Sequence, residues 1–277
     1  MVLKIRLQNI LNSTALARRP GSRPGGAPAP SCEVEQMDIL SAENSRRYAA
    51  SRLRAEKKAR LRAKNEPPRL TGPEEAVNAA SHGLGAALAA AALILMLAAS
   101  RTALEVTASC FYGVSMVVLM LMSCLYHAFP TGSAVKRLWR RFDYASIYLL
   151  IGGTFAPILL VYFGTPACIA VFCVQWGVIL FGITLIAIFG PGKWRPLHFT
   201  LYFLIGWSGL FFLPALYTGN RPLLWYILAG GLVYTVGMIP FARNRKYDHC
   251  LWHLFVLGGA VLQWIGIYTC IYLPRAL

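Results

Sequence analysis

The fold is decided by residues 144–192, which read YASIYLLIGGTFAPILLVYFGTPACIAVFCVQWGVILFGITLIAIFGPG. These 49 residues contain no Asp, Glu, Lys or Arg. A helix needs about 20 apolar residues to cross a bilayer, so this stretch is long enough for two membrane spans. Gly164, Thr165 and Pro166 interrupt it, and they predict the turn between the two spans.

Five further stretches without these charged residues surround it, and the whole chain is 57% hydrophobic and only 14% charged. The sequence therefore predicts an all-α, polytopic membrane protein with a bundle of seven transmembrane helices at 74–277, after a tail at 1–73. Because seven is odd, the two termini are expected on opposite sides of the membrane. The predicted spans are 79–99, 106–128, 144–163, 167–189, 197–217, 223–241 and 251–273.

The net charge of +16 indicates orientation rather than a nucleic-acid partner, because its distribution is uneven. The tail and the three loops on its side of the predicted bundle hold 24 Lys and Arg residues, and the other side holds 3. Without the tail, the loops on its side hold 9 Lys and Arg residues and the other side holds 3. The positive-inside rule therefore predicts a cytosolic N-terminus and a C-terminus outside the cell, most simply in the plasma membrane.

The tail is basic and is predicted to be largely disordered. Its first 32 residues carry no acidic side chain, which is compatible with a transit peptide. Alternatively, Met37 is the physiological start and the preceding Pro- and Gly-rich piece is disordered or not made. Residues 46–64 contain nine basic side chains and many helix formers, so they predict either a surface helix facing anionic lipid or a solvated run of charge.

The polar residues of the predicted spans gather at the cytosolic side. His249 and His253 are one helical turn apart at the start of the seventh span. His127 ends the second span, with Ser123 one turn before it, and Asp143 precedes the third span. Because ionisable groups in spans are costly and usually face an interior site, we expect these five side chains to converge.

Three imidazoles and a water form an open tetrahedral zinc site of the catalytic type. Asp143 is then placed to orient the water and take its proton, while Ser123 supports the water or a substrate carbonyl. Each motif alone is weak, because a His-x-x-x-His pair occurs by chance and Asp143 could instead pair with Arg140 or Arg141. Among the remaining polar residues, His82 is expected in an outer layer of the site with Glu75 near it, and His198 is expected as an interfacial anchor.

These motifs, in their order along residues 74–274, resemble the hemolysin III family, a relative of the progestin and adipoQ receptors and more distantly of alkaline ceramidases. The resemblance rests on Glu74-Glu75…Asn78…Ser81-His82-Gly83, Ser123-xxx-His127, Asp143-Tyr144, Gly153-Thr154-Phe155-Ala156-Pro157 and His249-xxx-His253-Leu254-Phe255-Val256. It implies a zinc ion held by His127, His249 and His253, with Ser123 and Asp143 beside the bound water. The short loops are similar to those of the bacterial members, although the tail is longer.

Three functions remain open on the sequence alone. The leading hypothesis is zinc-dependent hydrolysis of a lipid amide, with a membrane lipid as substrate. The second is a receptor or regulatory protein in which the zinc is structural. The third is a channel or cytolysin, against which the near absence of charged residues in the spans argues. The sequence does not indicate an oligomeric state.

Overall fold

The computed structural model describes residues 32–243 and 245–276, all of whose regular elements are helices. The chain divides into two compact units, Met1–Glu56 and Lys57–Leu277. The described part of the first unit belongs to a helix, Cys32–Lys64, that continues into the second unit. This helix includes the predicted basic segment 46–64 and begins well before it. The question of a transit peptide or an unmade segment concerns residues that lie outside the described ranges.

Within its described residues, the second unit contains seven helices long and apolar enough to cross a membrane, which confirms the predicted fold class. In order, they are Gly72–Ala99, Ala103–Ala128, Ala134–Phe163, Pro166–Phe189, Arg195–Gly219, Arg221–Arg243 and Asp248–Tyr272, here called the first to seventh spans. The third span is α-helical over Ala134–Ala156 and then a π-helix over Pro157–Phe163. The fifth comprises Arg195–Trp207, a 3₁₀ turn Ser208–Phe212, and Leu213–Gly219. The seventh comprises Asp248–Ile267 and a π-helix Tyr268–Tyr272, and Leu273–Ala276 follows.

The turn predicted inside residues 144–192 lies where the sequence indicated. Gly164 adopts φ = 60°, a left-handed conformation that glycine enters without a steric penalty. The Thr165 hydroxyl then accepts a hydrogen bond from the backbone N–H of Cys168, which caps the fourth span. Glycine and cap together separate the two spans.

Several spans begin earlier than their apolar segments predicted, because polar capping residues set the first turn. At the first span, the Glu74 carboxylate accepts hydrogen bonds from the Thr71 backbone N–H at 3.0 Å and from the Thr71 hydroxyl at 2.6 Å. At the third span, the Ser133 hydroxyl accepts a hydrogen bond from the Lys136 backbone N–H at 3.0 Å. These caps satisfy N–H groups that have no partner within their own helix. The first turns therefore lie outside the hydrophobic segments.

The second and third spans approach closely at a glycine. A Cβ atom on Gly153 would lie 2.6 Å from the backbone carbonyl oxygen of Phe111. Backbone atoms cannot move aside as a flexible side chain can. The absence of a side chain at Gly153 thus allows the two helices that carry His127 and Asp143 to pack against each other.

We expect Gly153→Ala to destabilise the protein by about 1–3 kcal/mol, the usual effect of inserting a methyl group into a well-packed interior. Gly177→Ala is the matched control, because a Cβ atom on Gly177 would meet nothing within 4 Å. Thermal unfolding in detergent should show a lower Tm for Gly153→Ala and an unchanged or higher Tm for Gly177→Ala. Equal Tm values for the two variants would contradict the close approach.

The linker between the N-terminal helix and the first span is bonded to the bundle through Asn65. Its side-chain amide donates to the carbonyl oxygen of Phe189 at 2.8 Å, and its side-chain oxygen accepts from the N–H of Gly192 at 2.9 Å. Arg140 of the third span donates to the Asn65 carbonyl oxygen at 2.9 Å. The linker, the starts of the odd-numbered spans and the ends of the even-numbered ones all lie at one end of the bundle, which we call the basic end.

Candidate metal centre

Three histidines meet inside the basic end of the bundle. His127 lies in the last turn of the second span, and His249 and His253 lie in the first two turns of the seventh. One nitrogen from each ring can be chosen so that all three lie within 4.8 Å of one another. The Nε2 atoms of His127 and His249 are 3.1 Å apart, and the His127 and His253 side chains are buried.

The start of the seventh span is held by two carboxylates. Asp248 accepts hydrogen bonds from the Arg243 guanidinium at 2.6 and 3.0 Å and from the Arg245 backbone N–H at 2.8 Å. Glu74 of the first span accepts a hydrogen bond from the Tyr247 backbone N–H at 2.9 Å. These contacts fix where the seventh helix begins, and hence where His249 and His253 lie relative to the first span.

The outer nitrogens of two of the rings face hydrogen-bond acceptors on the first span. Nδ1 of His127 is 2.7 Å from a carboxylate oxygen of Glu75, and Nδ1 of His253 is 3.2 Å from the carbonyl oxygen of Asn78. Because a carboxylate and a carbonyl oxygen only accept, each Nδ1 is the protonated nitrogen and each Nε2 keeps its lone pair. This donor set fits a divalent metal that takes imidazole ligands, with the outer partners that metal-binding histidines usually have.

Ser123 and Asp143 lie beside this cluster. Ser123 is buried one turn before His127 on the same helix, and its hydroxyl lies near the carboxylate of Asp143, a half-buried residue. Arg140 and Arg141, the alternative partners considered for Asp143, donate to the backbone carbonyl oxygens of Asn65 and Ala187. The structure therefore places all five predicted site residues in one region, although their roles there stay predictions.

The other two histidines occupy different environments. His82 is buried, and its ring stacks on that of His253 with the centroids 3.7 Å apart and the planes 7° from parallel. His198 is buried as well, with Nδ1 3.0 Å from the Tyr148 hydroxyl. The expectation that His198 is an interfacial anchor is wrong, because its helix turns this side chain toward the third span rather than toward the surface.

Sequence reasoning missed two residues near the cluster, Glu75 and Lys136. The sequence predicts Glu75 near His82, but its carboxylate contacts His127 and the Lys136 ammonium. The charge count places Lys136 among the basic residues of a loop, whereas its side chain is fully buried. A signal for Glu75 existed: Glu75, Asn78 and His82 follow helical spacing, which places them on one face of the first span.

An apolar cavity of about 190 Å³ lies within one helical turn of the histidine cluster along the second and seventh spans. Side chains of the second, third, fifth, sixth and seventh spans line it, including Leu119, Leu150, Phe155, Tyr202, Trp252 and Val256. Leu119 is one turn from Ser123, and Val256 is one turn from His253. The cavity therefore extends into the bundle from the region of the polar site.

Comparisons with known proteins identify the family of this chain. The family model described as "Haemolysin-III related" matches residues 71–264. "Hemolysin-3" of Bacillus cereus is 37% identical over 73% of this chain and 94% of its own length, and the "Hemolysin-3 homolog" of Bacillus subtilis is 30% identical over 73% and 96%. The human "Monocyte to macrophage differentiation factor" is more distant, at 23% identity over 58% of this chain and 69% of its own length. The chain therefore belongs to the haemolysin-III family and is more similar to these bacterial members than to the animal one.

Proposed function

We propose that this protein is an integral-membrane hydrolase that uses a zinc ion to cleave an amide bond of a membrane lipid. The observation that carries the proposal is the position of the buried three-histidine cluster within one helical turn of an apolar cavity. A metal site with three protein ligands leaves a position for water or substrate, whereas structural zinc sites usually have four protein ligands. A cavity lined mainly by aliphatic and aromatic side chains suits an acyl chain.

The histidines would hold the metal through nitrogens that point inward. His127 and His253 keep their Nε2 lone pairs, because their Nδ1 atoms donate to Glu75 and to the Asn78 carbonyl oxygen. Zinc bound there would supply Lewis acidity and make a water molecule acidic enough to react near neutral pH. Zinc is the metal that fits best, since an imidazole-only set with an open position is typical of catalytic zinc.

Asp143 and Ser123 supply the proton transfers and the orientation in this proposal. The Asp143 carboxylate accepts a proton from the attacking water and returns it to the departing amine nitrogen. The Ser123 hydroxyl lies near that carboxylate and would orient it. When an amide binds, the single proton of this hydroxyl can turn from the carboxylate to the carbonyl oxygen of the amide.

We also propose how the bundle is oriented and which membrane contains it. We place the basic end in the cytosol of a plasma-membrane protein, because 24 of the 27 Lys and Arg residues lie in the tail or at that end. We propose anionic lipid as the partner of the exposed basic side chains of the helix Cys32–Lys64.

The test is lipid turnover by the purified, full-length protein in lipid nanodiscs. A panel of N-acylated lipids should yield free fatty acid, detected by mass spectrometry. Removal of the metal with a chelator should abolish the product, and zinc, but not magnesium, should restore it, because magnesium prefers oxygen ligands.

Two outcomes would contradict the proposed hydrolase activity. Bound zinc with no product from any lipid of the panel would favour a receptor with a structural metal. Ion flux through reconstituted protein that persists in chelator would favour a pore.

A further inference from the structure

One carboxylate joins the histidine cluster to a buried ammonium group. Glu75 of the first span places Oε2 2.7 Å from Nδ1 of His127 and Oε1 2.9 Å from Nζ of Lys136. The Thr131 hydroxyl lies 3.4 Å from the same Oε1. The side chains of His127 and Lys136 are fully buried, and that of Glu75 is 14% exposed. These contacts connect three different helices.

Lys136 is held by a complete set of acceptors. Its ammonium donates to Glu75 and to the backbone carbonyl oxygens of Tyr126 and Phe129, both at 3.0 Å. The last carbonyl groups of a helix have no partner within the helix, and a cation is favourable at that end. Lys136 therefore caps the end of the second span, where His127 lies, and uses its third N–H to fix Glu75.

The position of Glu75 determines the orientation of His127. A nitrogen 2.7 Å from a carboxylate oxygen donates its proton, so the Glu75 contact keeps the proton on Nδ1 and turns Nε2 toward His249. The carboxylate also pulls the Nδ1 proton toward itself and so raises the electron density of the ring, which makes Nε2 a better metal ligand. Without Glu75, His127 could rotate or carry its proton on Nε2.

We propose that Glu75, held in place by Lys136, is a positioning residue that sets the metal affinity of the cluster through His127. The proposal rests on the metal centre of the proposed function but not on lipid hydrolysis. It also gives a role to a lysine whose burial in a membrane bundle is otherwise costly. One N–H of Lys136 holds Glu75, while the other two hold the carbonyl oxygens of Tyr126 and Phe129 at the end of the second span.

The test measures metal binding to the full-length protein in detergent, with wild type, Glu75→Gln, Lys136→Met and the double variant. Competition with a fluorescent zinc chelator gives the zinc Kd, and the absorption bands of bound cobalt(II) report the ligand geometry. Glu75→Gln should raise the Kd about 10- to 100-fold, the usual effect of removing the outer partner of a ligating histidine. The cobalt bands should shift in position and intensity, which a purely structural role for Glu75 would not produce.

Glu105→Gln is the matched control, because Glu105 is a buried carboxylate that caps the opposite end of the second span. Its zinc Kd and cobalt spectrum should equal those of wild type. Should Glu75→Gln fold poorly because it leaves Lys136 with an unbalanced charge, the double variant removes both charges and should restore folding. Its zinc Kd should then be at least as weak as that of Glu75→Gln.

The outcomes distinguish the positioning role of Glu75 from the proposed lipid hydrolysis. A folded Glu75→Gln or double variant with wild-type zinc affinity and a wild-type cobalt spectrum would overturn it, as would an equal loss in Glu105→Gln. A weakened Kd in a protein that turns over no lipid would support the positioning role and count only against the hydrolase. If the wild-type protein binds no zinc, both the positioning role of Glu75 and the zinc-dependent hydrolase are wrong.

Discussion

His253→Ala is expected to abolish stoichiometric zinc binding. His253 is 2% exposed, and its ring is fixed between the Asn78 carbonyl oxygen and the stacked ring of His82. Its replacement removes one of three ligands and leaves a two-histidine site. Since losing even an outer partner costs about 10- to 100-fold in affinity, losing a ligand should cost more than about 100-fold. Elemental analysis of protein purified in parallel with wild type measures the zinc content.

His198→Ala is the control for that experiment. His198 is also a buried histidine at the basic end of a span, but its partner is the Tyr148 hydroxyl and it is not among the clustered ligands. It should retain one zinc per chain even if its Tm falls. A full complement of zinc in folded His253→Ala, or equal losses in the two variants, would show that the cluster does not hold the metal.

Asp143→Asn is expected to lower lipid-amide hydrolysis about 10²- to 10⁴-fold, the usual contribution of a positioned general acid or base. Asparagine has the size of aspartate and can still receive a hydrogen bond from Ser123, but it cannot take a proton from water. The metal content should stay at the wild-type value, because the three ligands are untouched. The measurement is the initial rate of fatty-acid release at saturating lipid.

Glu105→Gln again serves as the control, since it changes a buried carboxylate at the other end of the bundle. It should hydrolyse lipid at the wild-type rate. If Asp143→Asn is as active as wild type, catalysis does not use this site. If Asp143→Asn instead loses its zinc, Asp143 belongs to the metal's ligands rather than to the proton transfer.

The number of spans and the convergence of the histidines could be predicted because both depend on one-dimensional features. Uncharged length gives the spans, and an alternating topology places the end of the second span beside the start of the seventh at one end of the bundle. His127, His249 and His253 then share a membrane depth. Spacing along a helix adds that His249 and His253 share a face. No knowledge of packing angles is needed for these steps.

The outer layer of the site could not be predicted in the same way. Glu75 and His127 are 52 residues apart, and their contact depends on how the first and second spans rotate about their axes. Hydropathy does not determine that rotation. Lys136 shows the limit most clearly: counting charges assigns it to a loop, whereas the cap at Ser133 starts the helix earlier and turns its side chain inward.

The Asn65 contacts have a consequence for where this molecule can be cut or joined. The family match begins at residue 71, yet the compact unit begins at Lys57. The Asn65 side chain is hydrogen-bonded to Phe189 and Gly192 at the loop between the fourth and fifth spans. A chain shortened to residue 71 would lose both of these hydrogen bonds. The segment that the family model matches is thus shorter than the compact unit that begins at Lys57. A shortened chain should keep Asn65, and tags belong ahead of it.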